Sequence, residues 1–128
     1  MRIVRFSDRP FVAAGHENPA APGVWKKVFF QRPDLQPGVV QMVNWARLPP
    51  GKRFASHYHE DMQEIFVVMQ GEAEITVGSQ TAVLGRGDAV LIDAREVHSM
   101  QNLGSDDCEY LAVGITAGTG GRTIVVEG

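Results

Sequence analysis

The stretch Gly51-Lys52-Arg53-Phe54-Ala55-Ser56-His57-Tyr58-His59-Glu60-Asp61-Met62-Gln63-Glu64-Ile65-Phe66-Val67-Val68-Met69-Gln70-Gly71 carries the reading of this chain. Two of its histidines stand two residues apart. On a strand, positions i and i+2 face one side, about 6–7 Å apart along the backbone. His57 and His59 can therefore converge on one ion, while Tyr58 points the other way. Glu64 follows His59 by five residues, an odd offset that one regular strand would turn to the opposite face. The polar run Glu60-Asp61-Met62-Gln63 supplies a break that returns Glu64 to the same side. His98 comes much later in the chain. It must reach the others on a strand distant in sequence, as β-barrels allow.

Outward from this stretch, apolar runs of strand length recur and no long helical period appears. The expected strands are Trp25–Gln31, Val39–Leu48, Phe54–His57, Glu64–Met69, Ala73–Val77, Gln80–Leu84, Ala89–Ile92, His98–Asn102, Glu109–Ile115 and Thr123–Val126. Turn signals lie between them at Gln36-Pro37-Gly38, Pro49-Pro50-Gly51, Gln70-Gly71, Val77-Gly78-Ser79, Gly85-Arg86-Gly87 and Gly118-Thr119-Gly120-Gly121. The last of these lacks the GK[ST] ending of a phosphate loop and reads as a hairpin turn. The segment Gly15–Gly23 reads as a loop. The pattern is that of an antiparallel sandwich or barrel, and 128 residues suit one domain spanning 1–128.

Composition narrows the partners. Hydrophobic residues make up 44% of the chain, which excludes disorder. Net charge is −3 with no basic stripe, which argues against nucleic acid. No apolar run reaches the roughly 18 residues of a membrane span, and the N-terminal residues do not resemble a secretion signal. The lone Cys108 fits a reducing compartment, so the expected location is the cytoplasm.

The quoted stretch resembles the first motif of the cupin superfamily: G, five residues, HxH, three or four residues, E, six residues, G. Gly51, His57, His59, Glu64 and Gly71 match every fixed position. The second motif runs G, five residues, PxG, two residues, H, three residues, N. Gly87, His98 and Asn102 match it, while Asp93 stands for its Pro and Arg95 for its Gly, departures that bear on the turn rather than on the histidine. The motifs cover 51–71 and 87–102. The resemblance implies an all-β double-stranded β-helix, the jelly-roll cupin barrel of two packed antiparallel sheets. Carried over by position, it makes His57, His59, Glu64 and His98 the ligands of one divalent transition metal.

Three imidazoles and a carboxylate suit Fe, Mn, Ni, Co, Cu or Zn better than Mg or Ca. An octahedral ion so held keeps two positions open, and its residual charge of about +1 favours an anionic or enolisable small molecule. The resemblance implies metal-dependent chemistry of the dioxygenase, isomerase or epimerase, cyclase or lyase kind. A non-catalytic module that binds or senses a small ligand is the alternative. Gln63, Arg53 and Tyr58 are the candidate catalytic residues, with Arg95 and Asn44 as further polar contacts. Phe66, Met62 and Met100 are candidates for the cavity wall, with core packing the simpler role for the two methionines. His16 reads as a surface residue of its loop. Acidic neighbours of Cys108 are expected to raise its pKa. Trp25, Phe29, Phe30, Trp45, Phe54 and Phe66 read as core or interface. Jelly-roll edges invite pairing, so a homodimer is expected through Met1–Phe6 and the strand around Trp25–Phe30.

Overall fold

The computed structural model describes residues 2, 5–34, 39–116 and 122–126. Among them, eleven strands occur in chain order: β1 (Val12–Ala13), β2 (Trp25–Gln31), β3 (Val40–Leu48), β4 (His57–His59), β5 (Met62–Gln70), β6 (Glu72–Val77), β7 (Gln80–Gly85), β8 (Ala89–Ile92), β9 (His98–Gln101), β10 (Cys108–Thr116) and β11 (Thr123–Val125). They form two antiparallel sheets, one ordered β1-β2-β3-β10-β5-β8 and the other β11-β4-β9-β6-β7. This is the jelly-roll expected from the sequence. Among the described residues, the only helical pieces are the short 3-10 turns Phe6–Asp8 and Arg32–Asp34. No helix among the described residues is long and apolar enough to cross a membrane.

Most expected strands fall within a residue or two of those observed. The exception is Phe54–His57. The strand starts at His57 and runs to His59, preceded only by an isolated bridge between Arg53 and Gln101. The cause is local: the Ala55 N–H donates to the Glu17 carboxylate (2.9 Å) instead of to a neighbouring strand. The two-residue β1 had no signal in the sequence, being too short to show an alternation. It pairs with Trp25 and Lys26 of β2, so that end of the expected edge is covered. The expected turns at 36–38 and 118–121 lie outside the described residues, as do residues 1, 3 and 4 of Met1–Phe6.

Alternation of buried and half-buried residues along β5 and β10 builds the inner face of the larger sheet. Directly paired residues share a face, so register lays the inward side chains out in rows. One row reads Ala46, Tyr110, Val68; the next Asn44, Ala112, Phe66; the next Met42, Gly114, Glu64. Leu48, Val68, Met100, Phe54 and Ile75 pack the core between the sheets at one end. Gly71, at the β5–β6 turn, has φ +76°, and a Cβ there would sit 2.4 Å from the Asp107 carbonyl oxygen. Only glycine meets both demands.

Candidate metal centre

His57 and His59 project from β4 and His98 from β9, all in the smaller sheet, whereas Glu64 projects from β5 in the larger one. The odd offset between His59 and Glu64 is therefore resolved by a change of sheet. The break is only Glu60–Asp61, and Met62 and Gln63 already belong to β5. His57 and His98 are directly paired across β4 and β9, which brings two residues 41 positions apart onto one face. One donor atom from each of the four residues lies within 4.8 Å of the other three, and all four residues are buried.

Hydrogen bonds fix which ring nitrogens face inward. His57 Nδ1 donates to the Ala55 carbonyl (2.6 Å) and His98 Nδ1 to the Glu96 carbonyl (2.9 Å). A carbonyl can only accept, so both Nδ1 atoms carry the proton, and Nε2 of each neutral ring keeps a lone pair. His59 Nδ1 lies 3.0 Å from Thr123 Oγ1. A hydroxyl can donate or accept, so it serves either tautomer of this ring. His59 Nε2 lies 3.1 Å from Glu64 Oε1, and His98 Nε2 lies 3.3 Å from the same oxygen. His98 Nε2 is nonetheless buried without a hydrogen-bond partner. An inward lone pair with no proton donor, beside two more imidazoles and a carboxylate, is a donor set that fits a divalent transition metal.

The electrostatics agree with that fit. Burial, with His16 and His98 nearby, pushes the His57 ring down to about 3, so it is neutral near pH 7. Burial works to raise the Glu64 carboxyl, but the His59 and His98 rings beside it outweigh this and hold it at about 2. Glu64 thus offers a negative charge to a cation bound there.

His57, His59 and Glu64 of the cluster line a cavity of about 850 Å³ between the sheets, with His98 buried behind them. Phe66 and Met62 line it, and Met100 is fully buried in the core, the packing role that was the simpler reading for it. Asn44 lines it; the other polar candidates do not. Gln63 donates to Asp93 Oδ1 (2.8 Å) away from the cavity, Arg53 is exposed beside Ser56, and Tyr58 alternates away from its histidine neighbours. Arg95 is exposed too, with φ +69°, and its N–H donates to the His59 carbonyl (2.8 Å). It thus keeps the left-handed turn that the motif reserves for glycine, against steric preference.

The largest departure from the sequence reading concerns His16. Far from being a surface residue, it lines the cavity and stacks on His57 with ring centroids 4.1 Å apart. Its neighbour Glu17 accepts from the Gly23 N–H (2.7 Å) and the Ala55 N–H, and Ala55 in turn holds His57 Nδ1. The Gly15–Gly23 loop is therefore a strap that orients a residue of the cluster. Cys108 is buried, and its thiol is pushed up to about 11, first by burial and then by Glu109 and Glu72, not by Asp106 or Asp107. Of the aromatic residues, Phe54 and Phe66 are buried, Trp25 lines the cavity, and Phe29, Phe30 and Trp45 are half-buried.

A two-sheet jelly-roll with this donor set is the arrangement that cupins share, and comparison with known proteins agrees. The Cupin_2 family, described as a cupin domain, matches residues 44–114, more than half of the chain. The chain belongs to that family. It is 36% identical over 67 residues to the oxalate-binding protein of Thermotoga maritima, a match covering 52% of this chain and 55% of that protein. The chain thus spans little more than half the length of that curated relative. Among solved structures, it is similar to a predicted oxalate decarboxylase from Thermotoga maritima (TM-score 0.79, 26% identity, covering 90% of this chain and 99% of the other). It also shares its fold with the polyketide cyclase RemF from Streptomyces resistomycificus (TM-score 0.78, 19% identity, covering 99% and 87%).

Proposed function

We propose that this cupin is a metal-dependent enzyme acting on a small molecule that forms an oxyanion. The observation that carries the reading is the meeting of three imidazoles and one carboxylate, three of these four residues lining a roomy cavity. His57, His59, Glu64 and His98 would hold the ion. When bound, it supplies Lewis-acid stabilisation of a carboxylate, enolate or alkoxide. The chain's own residues do the rest. Glu64 is the only acidic residue in the cavity wall among the described residues, and Lys26 and Arg32 add positive charge there, so the cavity attracts anions. Trp25, Phe54, Phe66 and Met62 give it apolar sides that displace water from a bound ligand. Beyond the four cluster residues, the proton-bearing side chains of the wall include His16, Lys26 and Tyr110. The phenol of Tyr110 is kept protonated by burial and so can donate a hydrogen bond.

A second reading, a non-catalytic ligand-binding module, is favoured by the similarity to the oxalate-binding protein of Thermotoga maritima. Metal analysis of protein purified without chelator, followed by assays of oxygen uptake and product release with oxalate, diketones and sugar phosphates, separates the two. Turnover lost in His59→Ala supports the enzyme. Saturable binding without turnover supports the binding module, and absence of bound metal overturns both. Homodimerisation through the N-terminal segment and β2 belongs to the same proposal, and sedimentation as a monomer at micromolar concentration would refute it.

A further inference from the structure

One polar group in the cavity has no use in the cluster. Asn44 is only 8% exposed, lines the cavity and leaves its Oδ1 buried without a hydrogen-bond partner. Its Nδ2 points to the Met42 sulfur at 3.5 Å, a weak acceptor, which identifies Oδ1 as the free end. A bare buried acceptor is costly to keep unless something in the working molecule satisfies it. The nearest cation by register is Lys26. It pairs with Ala46, while Asn44 pairs with Val28, so Lys26 and Asn44 are diagonal neighbours on one face, about 7–8 Å apart at Cα. Lys26 also lines the cavity and makes no ion pair among the described residues.

These two groups make complementary demands. Asn44 Oδ1 needs a donor, and the Lys26 ammonium needs an acceptor. A carboxylate would serve Lys26 and leave Asn44 bare. An ammonium would serve Asn44 and be repelled by Lys26. A hydroxyl serves both, donating its proton to Asn44 and accepting from Lys26. We propose that Asn44 and Lys26 are a specificity pair that selects substrates carrying a hydroxyl remote from the group held at the metal.

Register sets the span. Asn44 and Glu64 are two strands and two residues apart, about 12 Å at Cα, with Ala112 and Gly114 as the floor between them. Both side chains reach inward, leaving room for one ring between an oxyanion at the cluster and the hydroxyl. The proposed substrate class is therefore a hydroxylated carboxylate or enolate about one ring long. This rests on the metal-dependent reading above, and it makes oxalate too short to use the whole cavity.

The test is calorimetric titration of the zinc-loaded protein with benzoate, para-fluorobenzoate and para-hydroxybenzoate. Wild type should bind para-hydroxybenzoate about tenfold more tightly than the other two, because only it fills the bare acceptor. Asn44→Leu should bring that ratio to about one while leaving benzoate affinity and zinc content unchanged. Asn44→Asp, which keeps an acceptor at the same place, should retain a preference. Lys26→Met should reduce it at least threefold, and reads the same contact if Asn44→Leu fails to fold. Equal binding of all three probes by wild type, or a ratio that Asn44→Leu and Lys26→Met leave intact, overturns the pair but spares the metal reading. Failure to bind zinc or any benzoate overturns both.

Discussion

The two ends of the larger sheet's inner face are built from the same strands with the same alternation, yet one is core and the other is cavity. Along β10 the inward residues run Cys108, Tyr110, Ala112, Gly114. Beside Cys108 stands Leu48, and both have no exposed surface, whereas Ala46 and Tyr110 of the next row already line the cavity. Beside Gly114 stand Met42 and Glu64. A Cβ on Gly114 would lie 2.6 Å from the Met62 sulfur, so even one methyl group there would crowd the wall. The lesson is that binary pattern sets which side of a strand is buried, while side-chain volume sets whether that side is filled.

The ends should respond to opposite extremes of pH, and this is the largest effect expected. At the open end, His57 is lowered from 6.5 to about 3 and Glu64 from 4.5 to about 2. Groups with lowered values stabilise the fold above their unfolded pKa, and that stability is lost as pH falls through the folded one. Chelator-treated protein should therefore weaken between pH 6.5 and 3, by up to about 5 kcal/mol from His57 alone. At the packed end, Cys108 is raised from 9.0 to about 11, so its contribution is lost as pH rises through that range. Denaturant midpoints across pH would break the comparison if acid left the metal-free protein unaffected.

Substitution sharpens it further. Leu48→Ala should cost about 2–5 kcal/mol in chemical denaturation and leave the metal stoichiometry intact, because it opens a hole only in the packed end. His98→Ala should do the reverse, keeping the fold while zinc affinity, measured by chelator competition, falls at least about 100-fold. Glu17→Gln should lower zinc affinity roughly tenfold, since the strap would hold Ala55, and through it His57, less firmly. The smallest effect is a gain: Arg95→Gly relieves the left-handed backbone and should stabilise the protein by about 1 kcal/mol in thermal melts.

The donor set was legible in the sequence because its information is local: HxH parity, a carboxylate a few residues on and a histidine at a motif's fixed distance. Strand positions were legible for the same reason, since alternation in β5 and β10 is written residue by residue. What the sequence did not show depends on contacts between distant segments. His16 and Glu17 sit in a loop rich in Pro and Asn, and nothing nearby signals that Glu17 reaches Ala55, 38 residues away. The sheet change at Glu60–Asp61 looked like a kink in one strand, because parity alone cannot tell the two apart. Gln63, Arg53 and Tyr58 were attractive for their closeness in sequence to the histidines, yet the pleat and the sheet change turn them away from the cavity.

The carbonyl and hydroxyl that steady His57 and His59 have a further meaning. The family match ends at residue 114 and begins at 44, but Glu17 lies before it and Thr123 after it. The four donors, with the Ala55 and Glu96 carbonyls that aim His57 and His98, are thus portable with the shared segment, while Glu17, which steadies Ala55, and the Thr123 hydroxyl beside His59 lie outside it. Transplanting 44–114 into another scaffold would carry the ligands and leave behind the two contacts, from Glu17 and Thr123, that brace His57 and His59.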